Sequence, residues 1–169
     1  MSAFLVPLGT AEAEGLGQTT RPFTIGERLT YEVSWLNLTA VIAVMEVAAT
    51  EGTKGGSTTA KLIGTAQSTP IITKFFPVDN RVESDVDLDT LAPEHMTFQR
   101  REGKKKEDIE YTFHQKEGAV TAVRGGTTES LSIPAGTQDI ISCLYYTRTV
   151  LQPKPGAILK MNVYHDKKN

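Results

Sequence analysis

Period-two alternation recurs along this chain and restricts its fold more than any other feature. In ERLTYEVSWL, Leu29, Tyr31, Val33 and Trp35 fall on one face, with Arg28, Thr30, Glu32 and Ser34 on the other. An extended strand sends successive side chains to opposite faces, so the segment is predicted to be a half-buried strand. The run TAVIAVMEVAAT is more fully apolar and is placed deeper in a sheet. After a turn at GTKGGS comes the strand TTAKLIGTAQ. Farther on, Val82, Ser84, Val86 and Leu88 face one way, and Arg81, Glu83, Asp85, Asp87 and Asp89 the other. The acids then belong to the wet side of a strand.

Between these strands, Ser68-Thr69-Pro70 reads as a helix start, stopped within a turn or two by Pro77. A hairpin follows, with Met96, Phe98 and Arg100 alternating on one arm and Ile109, Tyr111 and Phe113 on the other. Glu102-Gly103-Lys104 makes its turn. A short strand, AVTAVRG, and a loop through Pro134-Ala135-Gly136 lead to the one substantial helix, in TQDIISCLYYTRTVL. Thr137 or Asp139 caps it; Ile140, Ile141, Leu144, Tyr145 and Leu151 form its apolar stripe, and Pro153 and Pro155 end it. The last strand is AILKMNVYHD. The fold class is therefore mainly β with a single helix in the C-terminal half.

With 169 residues the chain suits one domain that builds its own core. Apolar content of 39% and charged content of 22% fit a folded chain rather than a disordered one. A net charge of −2 supplies no global field toward nucleic acid or an anionic membrane. The single cysteine, Cys143, excludes an internal disulfide framework and a multi-cysteine zinc site. No apolar run is long enough for a transmembrane helix. Residues 3–8 are apolar and precede Ala11-Glu12-Ala13, a small-x-small cleavage pattern without the basic region that normally opens a secretory signal. Residues 1–22 are read as a remnant signal segment and linker, and 23–169 as one β-rich domain. A terminal strand with no cover on its edge, together with the clipped signal, suggests a chain shortened at both ends and lacking C-terminal strands.

Four segments in this order resemble a bacterial exported family known as domain of unknown function 3108. They are FTIGERLTYEVSWLNLTA; the D-x-R-x-E-S strand within FFPVDNRVESDVDLDTLAPEHMTFQRREGK; the D-x-x-S-x-x-Y-Y-x-R helix within IPAGTQDIISCLYYTRT; and GAILKMNVYHDKKN. Val41 stands where the family often has glycine. The resemblance covers residues 23–169 and implies an envelope-associated protein with a curved antiparallel sheet or partial β-barrel. No activity comes with it.

Each candidate site has a plainer structural role beside it. Acids on alternate strand positions lie about 6–7 Å apart and point in parallel, away from any common cation. Glu83 and Asp85 have the spacing of a glycosidase pair, roughly 5–9 Å, but no cleft between them. The cations at Arg100, Arg101, Lys104, Lys105 and Lys106 could meet lipid headgroups or an acidic partner; cross-strand pairing with the preceding acids accounts for them more simply. His95, His114 and His165 are scattered, and Ser142 and Cys143 lack a nucleophile elbow. Trp35, Phe75, Phe76, Tyr145 and Tyr146 either pack the core or line an apolar pocket. Arg81 and Arg148 pair with an acid such as Glu83 or Asp139, or offer a guanidinium to an anionic ligand.

The expected function is a non-enzymatic periplasmic or envelope role: binding an apolar or amphipathic ligand, or holding an envelope protein. The ligand-binding candidates are Trp35, Phe76, Arg81, Tyr145 and Arg148. No catalytic residue, metal ligand or cofactor is assigned. The alternatives are a cell-envelope hydrolase or saccharide-modifying enzyme using acids near Asp79 to Asp85, and a structural adaptor.

Overall fold

A computed structural model describes residues 23–35, 37–50, 59–150 and 155–164, without the side chains of Trp35 and Val150. The expected signal remnant at 1–22, the expected turn at 52–57, Leu151, Pro153 and His165 lie outside these residues. Eight strands form one antiparallel sheet: β1 (Arg28–Trp35), β2 (Leu38–Ala49), β3 (Thr59–Ser68), β4 (Asp79–Asp87), β5 (Pro93–Glu102), β6 (Lys105–His114), β7 (Ala119–Arg124) and β8 (Thr127–Ser132). Each strand pairs with its sequence neighbour, in the order β1 to β8, and the sheet does not close. The helices are α1 (Pro70–Thr73) and α2 (Ser142–Val150).

The register explains which face is dry. Val47 pairs with Leu62, Leu62 with Ser84, Ser84 with Met96, Met96 with Tyr111, and Tyr111 with Ala122. All six are buried, so one cross-strand row runs from β2 to β7 beneath the core. Apart from the Tyr111 phenol, its one polar member is Ser84. Val82, Val86 and Leu88 share that face, as the alternation requires. Ile141 and Tyr145, from the segment entering α2 and from α2 itself, close over the row. Gly64 of β3 admits the helix entry: a Cβ there would stand 3.0 Å from Ile141 Cδ1. Tyr164 then packs edge-on against Tyr111 and Phe113.

Several expectations change. The helix is shorter than the sequence stripe suggested, with nine residues. Asp139 caps it, while the Thr137 hydroxyl donates to the Pro134 carbonyl. Leu144 is exposed, and the apolar stripe narrows to Ile141 and Tyr145 with a half-buried Ile140. No final strand forms within 155–164. Residues 162–164 instead bracket Gln138 through backbone bonds, in an isolated parallel bridge between Gln138 and Val163. Among the described residues the sheet edges are therefore β1 and β8. The latter went unforeseen because TTESLS has no apolar alternation and every residue of it is exposed. The preceding Gly125-Gly126, both at positive φ, did announce a two-residue hairpin. β1 is less buried than its pattern predicts: Tyr31 and Val33 are 46% and 52% exposed. It is an edge strand, and that stretch of its apolar face stays about half open to water.

Candidate functional site

Ser84 is the residue through which sheet and helix are joined. Its hydroxyl donates to Asp139 Oδ2 at 2.5 Å, and both residues are fully buried. Asp139 Oδ1 accepts from the Ile141 and Ser142 amides at 2.8 and 2.7 Å. The Ser142 hydroxyl accepts in return from the Asp139 amide at 2.9 Å. Asp-x-x-Ser thus caps reciprocally, satisfying donors that a helix start leaves orphaned. The clasp is structural: every polar group in it faces another.

Nearly two turns beyond Ser142, Arg148 makes a two-pronged pair with Glu27, at 2.6 and 2.9 Å, and its guanidinium lies over the Tyr145 ring, 5.4 Å from the centroid. The hydrogen bond from Arg148 holds the Glu27 carboxyl below its usual range and raises the Arg148 guanidinium in turn. A carboxyl with a lowered folded pKa stabilises above its unfolded value, near 4.5, and loses that contribution as pH falls through the folded value. Glu27→Gln is accordingly expected to flatten the acid limb of a melting-temperature profile below about pH 4.5 and to cost under about 1 kcal/mol at neutral pH. Thermal melts between pH 3 and 7 check this. An unchanged acid limb would remove the pair from the account.

Tyr145 is fully buried against Phe23, ring to ring at 5.1 Å. Among the described residues its hydroxyl has no hydrogen-bond partner, and burial pushes the phenol up to about 12. Tyr145 and Arg148 are the two sequence candidates brought together. Arg81 sits on the opposite, wet face of the sheet, where it binds Glu83 at 2.7 Å. Phe76 lies at the end of the sheet, 53% exposed, against Gly103. The Trp35 side chain is outside the described residues.

On the wet face the acids of β4 find a different mate from the hairpin cations. Lys61 of β3 reaches Glu83 at 3.4 Å and Asp85 at 3.0 Å. Burial disfavours ionised Glu83, but Arg81 and Lys61 outweigh it and hold the carboxyl low. A carboxylate held ionised by two cations is poorly placed to donate a proton. Nearby, His95 Nε2 is 2.8 Å from Glu110 and its Nδ1 is 3.8 Å from Asp85, beside an open groove of about 1200 Å³. Among the described residues no group of three or more His, Cys, Asp or Glu is arranged to hold a metal ion. The hairpin pairs its own charges: Arg100 with Glu102, Arg101 with Asp108, and Lys105 with Glu107.

The dry face holds a second space. A cavity of about 210 Å³ lies between the β5–β6 hairpin and the chain entering α2, walled by Met96, Phe98, Tyr111, Ile140 and Tyr164. Arg100 and Glu102 form its polar end, with Glu102 also taking a bond from Asn80 at 2.8 Å. The Arg100 hydrogen bond, more than any other influence, keeps the Glu102 carboxyl low. Sequence reasoning missed this pair because both residues read as part of a solvated tip. The alternation did carry the signal: Arg100 and Glu102 continue the inward series of Met96 and Phe98.

Comparisons with curated proteins and with solved structures give no match. Residues 30–169 match the model of a family described as protein of unknown function (DUF3108). That span includes Ser84, Asp139, Tyr145 and Arg148, so the join between sheet and helix lies inside the matched region, and the chain belongs to this family.

Proposed function

We propose that the protein is a non-catalytic binding protein of the cell envelope that holds the apolar end of an amphipathic ligand against the dry face of its sheet. The observation that carries this reading is the cavity beside Ile140: apolar walls, and one charged pair at a single end. At about 210 Å³ it is smaller than the roughly 300–1,000 Å³ of pockets that enclose a whole small molecule. It suits one chain or ring, with the ligand's polar end at Arg100 and Glu102. Curling of the unclosed sheet into a partial barrel would deepen that shelter, and the register shifts at Val33/Ser34 and Asp85/Val86 are places where bulged strands bend. The enzyme alternative is weaker, since Glu83 and Asp85 are committed to Lys61. Export is supported by the apolar stretch at 3–8 and the Ala11-Glu12-Ala13 pattern after it.

Titration with a dansyl-labelled fatty acid tests the site. Saturable one-to-one binding is expected, weakened at least about tenfold by Ile140→Trp, whose indole fills the space, with the melting transition preserved. Ten-fold corresponds to about 1.4 kcal/mol. Absence of saturable binding by the unaltered protein, or undiminished binding by Ile140→Trp, would overturn the reading.

A further inference from the structure

In an antiparallel meander, alternate connections gather at the same end of the sheet. Here the β1–β2 turn, the β3–β4 connection carrying α1, and the β5–β6 turn share one end and are tied together. The Thr69 amide and hydroxyl bond to the carbonyls of Ala40 and Thr39, each at 2.9 Å. The Gly103 amide bonds to the Pro77 carbonyl at 2.8 Å, and the Phe76 ring lies so close to Gly103 that a Cβ would stand 3.1 Å from it. This assembled end is apolar where it faces water. Phe75 is 83% exposed, and Ile71, Phe76 and Leu38 are also exposed.

Cations ring the same end. Lys74, Lys104 and Lys106 are exposed, and among the described residues none of them is engaged by a carboxylate. Of the acids nearby, Glu102 and Asp108 are paired with Arg100 and Arg101, and Asp79, bonded to the neutral Gln67 amide, keeps a charge that the three lysines outnumber. Among the described residues, the strand ends and connections at the opposite end carry Asp87, Asp89, Glu94 and Glu117 against Lys116. The chain's net charge is −2, so a local excess of lysines comes from their placement and not from a basic composition. Exposed aromatic and aliphatic side chains rimmed by unpaired lysines match the boundary of an anionic bilayer, where apolar groups enter the acyl region and ammonium groups meet phosphates.

We propose that this end of the sheet docks on a lipid surface bearing anionic headgroups, with Phe75 and Phe76 inserted and Lys74, Lys104 and Lys106 in the headgroup layer. The acidic end then points away from the surface, an orientation that the charge segregation favours. The inference is independent of the cavity, which lies on the dry face.

Flotation with vesicles of phosphatidylcholine, with or without phosphatidylglycerol, tests it. The protein is expected to float with the anionic vesicles and to release as salt rises. Phe75→Ser should lower the bound fraction at least about fivefold with an unchanged melting temperature, because the ring touches little in the fold. Combined Lys74→Glu, Lys104→Glu and Lys106→Glu should abolish the preference for phosphatidylglycerol. No flotation by the unaltered protein, or full flotation by Phe75→Ser, overturns the proposal. So does a result in which Phe75→Ser spares vesicle binding but dissolves a dimer in size-exclusion chromatography, which would assign the patch to contact between copies.

Discussion

Replacing Asp139 with alanine is expected to lower the melting temperature by about 10 °C. The carboxylate is fully buried and accepts three hydrogen bonds, from Ser84, Ile141 and Ser142. Its removal deletes a helix cap and strands three buried donors, together about 3–4 kcal/mol. For a domain of this size each kcal/mol moves the midpoint by about 2–4 °C. Asp139→Asn should be milder, at about 1 kcal/mol, because an amide oxygen still accepts the two backbone bonds while its nitrogen turns toward the Ser84 hydroxyl. A double-mutant cycle with Ser84→Ala separates the cap from the sheet contact. If Asp139→Ala melts within about 2 °C of the parent, the clasp does not hold α2 to the sheet.

Tyr145 should separate packing from polarity. Tyr145→Ala removes a fully buried aromatic ring and is expected to cost about 3–5 kcal/mol. Tyr145→Phe removes only a hydroxyl without a hydrogen-bond partner among the described residues and should be neutral or stabilising by about 1 kcal/mol. The phenol's folded value of about 12 exceeds the unfolded value near 10. Unfolded chains therefore ionise first, and stability declines as pH rises from about 10 to 12. Tyr145→Phe should lack that decline. Chemical denaturation at pH 8 and pH 11 reads both effects. A Phe variant destabilised by more than about 1 kcal/mol at pH 8 would mean that the hydroxyl has a partner of its own.

Architecture was legible where side-chain period and burial agree. The inward series Val82, Ser84, Val86 and the hairpin series Met96, Phe98 against Ile109, Tyr111 place themselves, since a one-residue slip would expose every apolar member. The serine in the first series was itself a clue: a polar residue on a dry face needs a partner, and Asp139 was the capping acid elsewhere in the chain. Their meeting, 55 residues apart, is a tertiary fact that neither local pattern contains. β1 misled for a complementary reason. Its alternation is sound, yet burial of Tyr31 and Val33 depends on cover that the strand itself cannot supply. The hairpin cations were read by proximity in sequence to the β4 acids, but the antiparallel connection carries Arg100 and Arg101 to the far end from Asp85 and Asp87. Pairing followed the fold.

The chain-order meander also bears on how the molecule assembles. Every strand finds its partner next door along the chain, so hairpins can be added one after another with short loops to close. The contacts of α2 are of another kind. Arg148 must find Glu27 across 121 residues, and Asp139 must find Ser84 across 55. The N-terminal β-sheet can thus be complete before the residues that fasten its dry face have been synthesised. Until they arrive, the row from Val47 to Ala122 stands open to water, and that unfastened sheet is the stage at which a nascent chain is most exposed to sticking to its neighbours.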